Sequence, residues 1–240
     1  MSFTEPQTIG ILGGMSSEST RTYYRLIDRK VNDALGGHNA GDILIRSVNF
    51  ARIERCIRDQ RWEEAGELLV DAALDLEAGG ADFVVMATNT MHRVAPRLVD
   101  ELSIPFLHIV DAAVDAIRAD GVETVGVLGT KAVMEGAFYH ERFGSRGVET
   151  VVPGIDDREA VDRIIFEELT TGQVREESRG RYLDVIDGLV EKGARGIVLG
   201  CTEIELLVEQ RDCPEIPLFD TTALHVDRAV ERSLRPVLDD

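Results

Sequence analysis

Gly193-Ala194-Arg195-Gly196-Ile197-Val198-Leu199-Gly200-Cys201-Thr202-Glu203 is the stretch on which the fold turns. Ile197, Val198 and Leu199 run together without a polar alternation. A strand of that kind is buried on both faces, as in a parallel sheet covered by helices on each side. Gly200 and the small polar residues after it end the strand in a loop. The same pattern stands 113 positions earlier, in Gly80-Ala81-Asp82-Phe83-Val84-Val85-Met86-Ala87-Thr88-Asn89-Thr90. Two more pairs repeat in the same order. Ile9-Gly10-Ile11-Leu12-Gly13 resembles Val125-Gly126-Val127-Leu128-Gly129, and Ile104-Pro105-Phe106 resembles Ile216-Pro217-Leu218. Three ordered matches at nearly one offset predict two similar lobes.

Strands are expected at 8–12, 43–48, 83–87, 106–109, 124–128, 150–152, 196–199 and 218–220. Helical spacing of apolar residues covers 17–35, 62–78, 162–169 and 181–192, with Gly79-Gly80 and Gly193 as stops. Alternating strands and helices predict an α/β fold of two pseudo-symmetric lobes, each a mostly parallel sheet flanked by helices. Ligands bind beyond the carboxyl ends of strands in such sheets, so the expected site is the cleft between the lobes.

The composition narrows the partners. The chain has 240 residues and a formal net charge of −18. That field repels nucleic acid and anionic membrane, so neither is expected as a partner. No apolar run reaches the roughly 20 residues of a membrane helix, and the first residues lack the pattern of a secretory leader. Cys56, Cys201 and Cys213 form no disulfide framework. A reducing cytoplasm is the expected compartment. Lys30, Lys131 and Lys192 are the lysines among 26 basic residues. Strong acidity with so few lysines points to a halophilic protein, because salt screens the repulsion among carboxylates.

Four loops after strands carry polar groups. In Gly13-Gly14-Met15-Ser16-Ser17 the glycines permit a tight turn and Ser16 or Ser17 can cap a helix. A plain turn and an anion site are both open readings there. Thr88-Asn89-Thr90-Met91-His92 follows an apolar strand, and Cys201-Thr202-Glu203 is its repeat partner. A cysteine at a helix start is expected to have its thiol pKa lowered from about 8.5. Gly129-Thr130-Lys131 is the fourth loop. Cys56 and Cys213 read as buried hydrophobes. His38, His92, His108, His140 and His225 show no metal spacing. His92 either orients a neighbour or packs.

Gly13-Gly14-Met15-Ser16-x-Glu18-Ser19-Thr20, Thr88-Asn89-Thr90-Met91-His92, Leu128-Gly129-Thr130 and Gly200-Cys201-Thr202-Glu203 together resemble the aspartate/glutamate racemase family. Ile165-Phe166-Glu167-Glu168-Leu169 and Phe219-Asp220-Thr221-x-Ala223-Leu224-His225 fit the same family, over about residues 8 to 230. Within it the chain is most similar to the branch that is L-aspartate/glutamate-specific or of broad specificity. The resemblance implies a homodimer that needs no cofactor, neither pyridoxal phosphate nor metal. It also implies a last helix packed on the first lobe. The lobes are then expected over 1–110 plus 219–240 and over 111–218.

Typical members place one cysteine on each face of the substrate Cα. One thiolate takes the α-proton and the opposite thiol returns one. Here Thr88 stands where the first cysteine would be. The resemblance therefore implies Cys201 as acid or base on one face and Thr88 on the other. Asn89, Thr90 and Thr202 are expected to hold the α-carboxylate and amine, helped by Met15, Ser16 and Thr130. Glu203 tunes Cys201, meets the ammonium, or merely caps a helix. Asn49 is expected to face the site. Arg52, Arg163 and Arg175 are open candidates for a distal carboxylate. The expected activity is racemisation or epimerisation of an amino acid, aspartate or glutamate first. A single-cysteine decarboxylase of the same superfamily and a non-catalytic amino-acid-binding protein are the alternatives.

Overall fold

The computed structural model describes residues 5–238. The chain divides into two compact units. One holds the chain up to His108 and again from His225, and the other is Ile109–Leu224.

In the first unit β1 (Ile9–Gly13) leads to α1 (Ser17–Leu35), β2 (Ile43–Ser47), α2 (Phe50–Arg58) and α3 (Trp62–Ala78). Then come β3 (Phe83–Met86), a 3-10 turn at Thr90–Val94, α4 (Ala95–Glu101) and β4 (Phe106–Leu107). The four strands are parallel in the order β2-β1-β3-β4. Side chains leave successive strand residues on opposite faces, and the packing follows. Ile9, Ile11, Phe83 and Val85 pack on one face against Tyr23, Ile27 and Val31 of α1. Leu12, Val84 and Met86 pack on the other against Ile53 of α2 and Leu69, Ala73 and Leu76 of α3. This is why the strands read as unbroken apolar runs.

The first face is completed from the far end of the chain. The last helix, α10 (Thr221–Leu238), contributes Val226, Ala229, Val230 and Leu234 to that core. His225 Nε2 donates to the Leu107 carbonyl at 3.0 Å, which leaves Nδ1 to accept the Tyr23 hydroxyl at 2.8 Å. The Gln7 N–H donates to the Ser233 carbonyl, and the Ser233 hydroxyl donates back to the Gln7 carbonyl.

The second unit starts with α5 (Ile109–Ala119) and β5 (Thr124–Gly129), followed by α6 (Lys131–Met134), α7 (Ala137–Gly144) and β6 (Glu149–Val151). After α8 (Ile155–Glu167) and α9 (Glu176–Glu191) come β7 (Ile197–Gly200) and β8 (Leu218–Asp220). Its strands are parallel in the order β6-β5-β7-β8, the same pattern as in the first unit. Val125, Val127 and Val198 face α5 and α7, while Leu128, Ile197 and Leu199 face α8 and α9.

Both sheets match the α/β expectation, and the differences lie at element ends. The fourth strand stops at Leu107 because α5 begins at Ile109. The helices expected at 162–169 and 181–192 start earlier, at Ile155 and Glu176. Their first turns carry Asp156-Asp157 and Glu176-Glu177. Acidic side chains suit the positive end of a helix but show no apolar period. β8 pairs with β7, so Phe219 and Asp220 belong to the second sheet.

Candidate active site

In the first unit the singled-out residues gather at the carboxyl ends of three neighbouring strands. The register sets Gly13 of β1 beside Ser47 of β2, and Leu12 beside Met86 of β3. Met15, Asn49 and Thr88 each stand two residues past one of these strand ends. The turn after β1 requires glycine. Gly14 has φ +90°, and a Cβ there would lie 2.2 Å from the Val48 carbonyl oxygen. Ser16, rather than Ser17, caps α1 by accepting the Ser19 N–H at 3.1 Å. Asn49 caps α2 by accepting the Ala51 N–H at 3.1 Å. Arg52 is exposed one turn into α2 and has no ion-pair partner among the described residues.

The Thr88 loop is fixed from below. The Ser19 hydroxyl donates to the Ala87 carbonyl at 2.7 Å, and His92 Nδ1 donates to the Thr88 carbonyl at 2.7 Å. His92 is thus an orienting residue, packed against His108 with ring centroids 4.5 Å apart. Thr88 and Asn89 are buried, and Thr90 opens the 3-10 turn.

In the second unit Gly129 of β5 pairs with Gly200 of β7, so Thr130 and Cys201 are the next residues on adjacent strands. Cys201 is partly buried, and Thr130, Thr202 and Glu203 are buried. The Cys201 thiol donates to Glu203 Oε2 at 3.0 Å, and the Thr202 hydroxyl donates to the same oxygen at 2.6 Å. Tyr139 closes the back of this corner. Its hydroxyl would sit 3.3 Å from a Cβ placed on Gly200.

One electrostatic expectation is overturned. Among the described residues no α-helix starts at Cys201, only a three-residue 3-10 turn at Ile204–Leu206. The aligned dipoles that depress a thiol's pKa are therefore missing. Burial instead pushes the Cys201 thiol well above its ordinary range, and the Glu203 carboxylate that it bonds adds to the rise. Glu203 stands at the head of that 3-10 turn, but its side chain makes no capping bond there. It is the hydrogen-bond acceptor of the thiol.

A second carboxyl group escaped the sequence reading. Asp162 of α8 accepts the Lys131 N–H at 2.6 Å, just past β5, and its charge acts on Cys201. Burial raises its own pKa. Nothing in the sequence marks it, since it arrives inside a helix with no loop motif. Arg163 and Arg175 are exposed on and beside the helices behind, with Arg175 3.5 Å from Glu168.

The raised groups give a sign for alkaline stability. Burial also lifts the Tyr139 and Tyr182 phenols. For each of these groups the unfolded chain loses its proton first. Stability is therefore complete below the unfolded values, about 8.5 for the thiol and about 10 for the phenols, and falls as pH rises above them. The urea midpoint should fall from pH 8 to pH 10.5, most steeply past pH 10. A flat midpoint over that range contradicts the assignment.

Among the described residues no group of three His, Cys, Asp or Glu side chains is placed to hold a metal ion, and no helix is long and apolar enough to cross a membrane.

A family model described as Asp/Glu/Hydantoin racemase matches residues 12–229. A candidate Asp/Glu racemase from Yersinia pestis has a solved structure that is 43% identical, with TM-score 0.89, covering 95% of this chain and 99% of that one. An aspartate racemase homologue from Pyrococcus horikoshii OT3 is 32% identical at TM-score 0.84, over 95% and 99% of the two chains. A broad specificity amino-acid racemase of Bacillus subtilis (strain 168) is 26% identical over 219 residues, 90% of this chain and 93% of its own.

Proposed function

The chain belongs to the Asp/Glu/Hydantoin racemase family, and from that premise we propose that it interconverts amino-acid enantiomers without pyridoxal phosphate, using Cys201 as the proton-transferring group on one face of the substrate Cα. One observation carries this reading. A cysteine at the end of a central strand donates its proton to a buried carboxylate, Glu203. A thiol whose proton has an acceptor at 3.0 Å is a base held ready, even where its own pKa is high.

The steps balance without oxidation or reduction. Cys201 passes its proton to Glu203, and the thiolate takes the α-proton. The carbon–hydrogen electron pair stays on Cα, delocalised into the α-carboxylate. Asn89 and Thr90 hold that carboxylate, and Thr130 and Thr202 assist. A proton relayed from water by the Thr88 hydroxyl closes a new bond on the opposite face, and the hydroxide left by that water is neutralised by the proton that Glu203 gives up, which restores both residues. Aspartate and glutamate stand first among substrates, with Arg52 the cation offered to their distal carboxylate. Incubation with each L- and D-amino acid in deuterated water, followed by NMR of the α-proton, tests the reading. Exchange with no amino acid at all would overturn it.

Glu203→Gln separates acidity from catalysis. Removing the charge lowers the thiol's pKa, so iodoacetamide should alkylate Cys201 faster than in the wild type at pH 8. Exchange should nevertheless slow by roughly 10²-fold, the usual scale for a lost proton acceptor. Alkylation and exchange that change in the same direction would show that Glu203 acts on the thiol's acidity alone.

A further inference from the structure

The last helix carries a feature that the reaction does not use. Arg228, Arg232 and Arg235 lie on one face of α10 and line, with Leu107 and Glu231, a hollow of about 230 Å³ in the first unit. The chain as a whole carries −18. Many of its arginines pair with carboxylates, as Arg46 does with Asp75 and Arg142 with Asp111. Arg232 and Arg235 have no such partner among the described residues. Arg232 is held in place instead, its guanidinium 5.3 Å above the Phe83 ring. Its Nε is buried and makes no hydrogen bond. A buried donor left without an acceptor is costly, and native structures satisfy nearly all of them.

We propose that this hollow is a second binding site, for a phosphate group. Guanidinium forks match the geometry of a tetrahedral oxyanion, and Arg232 offers a donor that no carboxylate takes. Glu231 and the negative end of α10 oppose an anion, so a single guanidinium would not suffice, and Arg232 and Arg235 supply two. The site is separate from the candidate active site. Phe83 begins β3, and Ser233 of α10 bonds Gln7, ahead of β1. The hollow therefore runs from Leu107, level with Val85 inside β3, toward the amino ends of the strands, while Met15, Asn49 and Thr88 follow the carboxyl ends of β1, β2 and β3.

The test titrates the full chain with inorganic phosphate and with glycerol 3-phosphate, by calorimetry at fixed ionic strength in chloride. One phosphate group should bind per chain, more weakly as chloride rises. Arg232→Gln and Arg235→Gln should each weaken binding at least tenfold. Both should leave α-proton exchange, measured without phosphate, as in the wild type. Arg235 is exposed, so its variant keeps the test valid if Arg232→Gln misfolds. Tighter binding of the ester assigns the site to a phosphorylated metabolite, and equal binding assigns it to free phosphate. No binding by the wild type, or unchanged binding in Arg235→Gln, overturns the proposal.

Discussion

Cys201→Ala should lower α-proton exchange by at least about 10³-fold, with the thermal midpoint little changed. Nothing else at the end of β7 can replace the thiolate. Thr202 and Glu203 are already bound to one another, and a hydroxyl is far too weak an acid to serve as a base near neutral pH. The fold should survive, because Cys201 is only partly buried and the change removes one sulfur from the margin of the core. Cys56→Ala and Cys213→Ala form the controls. Both cysteines are buried in cores, one in each unit. Their loss should reduce stability by about 1 kcal/mol or somewhat more and leave exchange intact. If Cys201→Ala exchanges at the wild-type rate, the assignment fails.

Thr88→Cys should raise turnover of D-substrates by an order of magnitude or more. Under the proposed mechanism only the Cys201 side supplies a thiolate, and the family resemblance implies that this side serves the L-enantiomer. The wild type should therefore exchange the α-proton of L-substrates much faster than that of D-substrates. The substitution brings a base to the other face with little change in volume. The backbone that presents it is already fixed, since His92 and Ser19 bind the carbonyls of Thr88 and Ala87. A wild type equally fast on both enantiomers would show that Thr88, or water held by it, is a competent base.

Much of this architecture could be read from one repeated stretch. Residues such as Val198 and Val85 lie in strands with helices on both faces, and that environment leaves an unbroken apolar run in the sequence. Loops at strand ends were equally legible, because Gly14 must adopt a left-handed backbone and small polar residues follow it. The environment of Cys201 was not legible. Whether a cysteine feels a helix dipole depends on how many turns follow it, and Ile204–Leu206 is a 3-10 turn rather than a helix. Asp162 was hidden for a different reason. Its position beside the Lys131 N–H comes from tertiary packing of α8, which no local pattern encodes. The helix starts at Ile155 and Glu176 were missed because acidic first turns mask the period of the buried residues.

The return of α10 to the first unit bears on how the protein is made. The second unit is one unbroken stretch, Ile109–Leu224. It can fold while the chain is still being synthesised. The first unit cannot finish at that stage. One face of its sheet, at Ile9, Ile11 and Val85, stays uncovered until Val226, Ala229 and Leu234 arrive. Tyr23 likewise waits for His225 across 202 positions of chain. The half that begins the sequence is thus the last to close, and a ribosome stalled before residue 225 would release a protein with one finished unit and one open, apolar sheet.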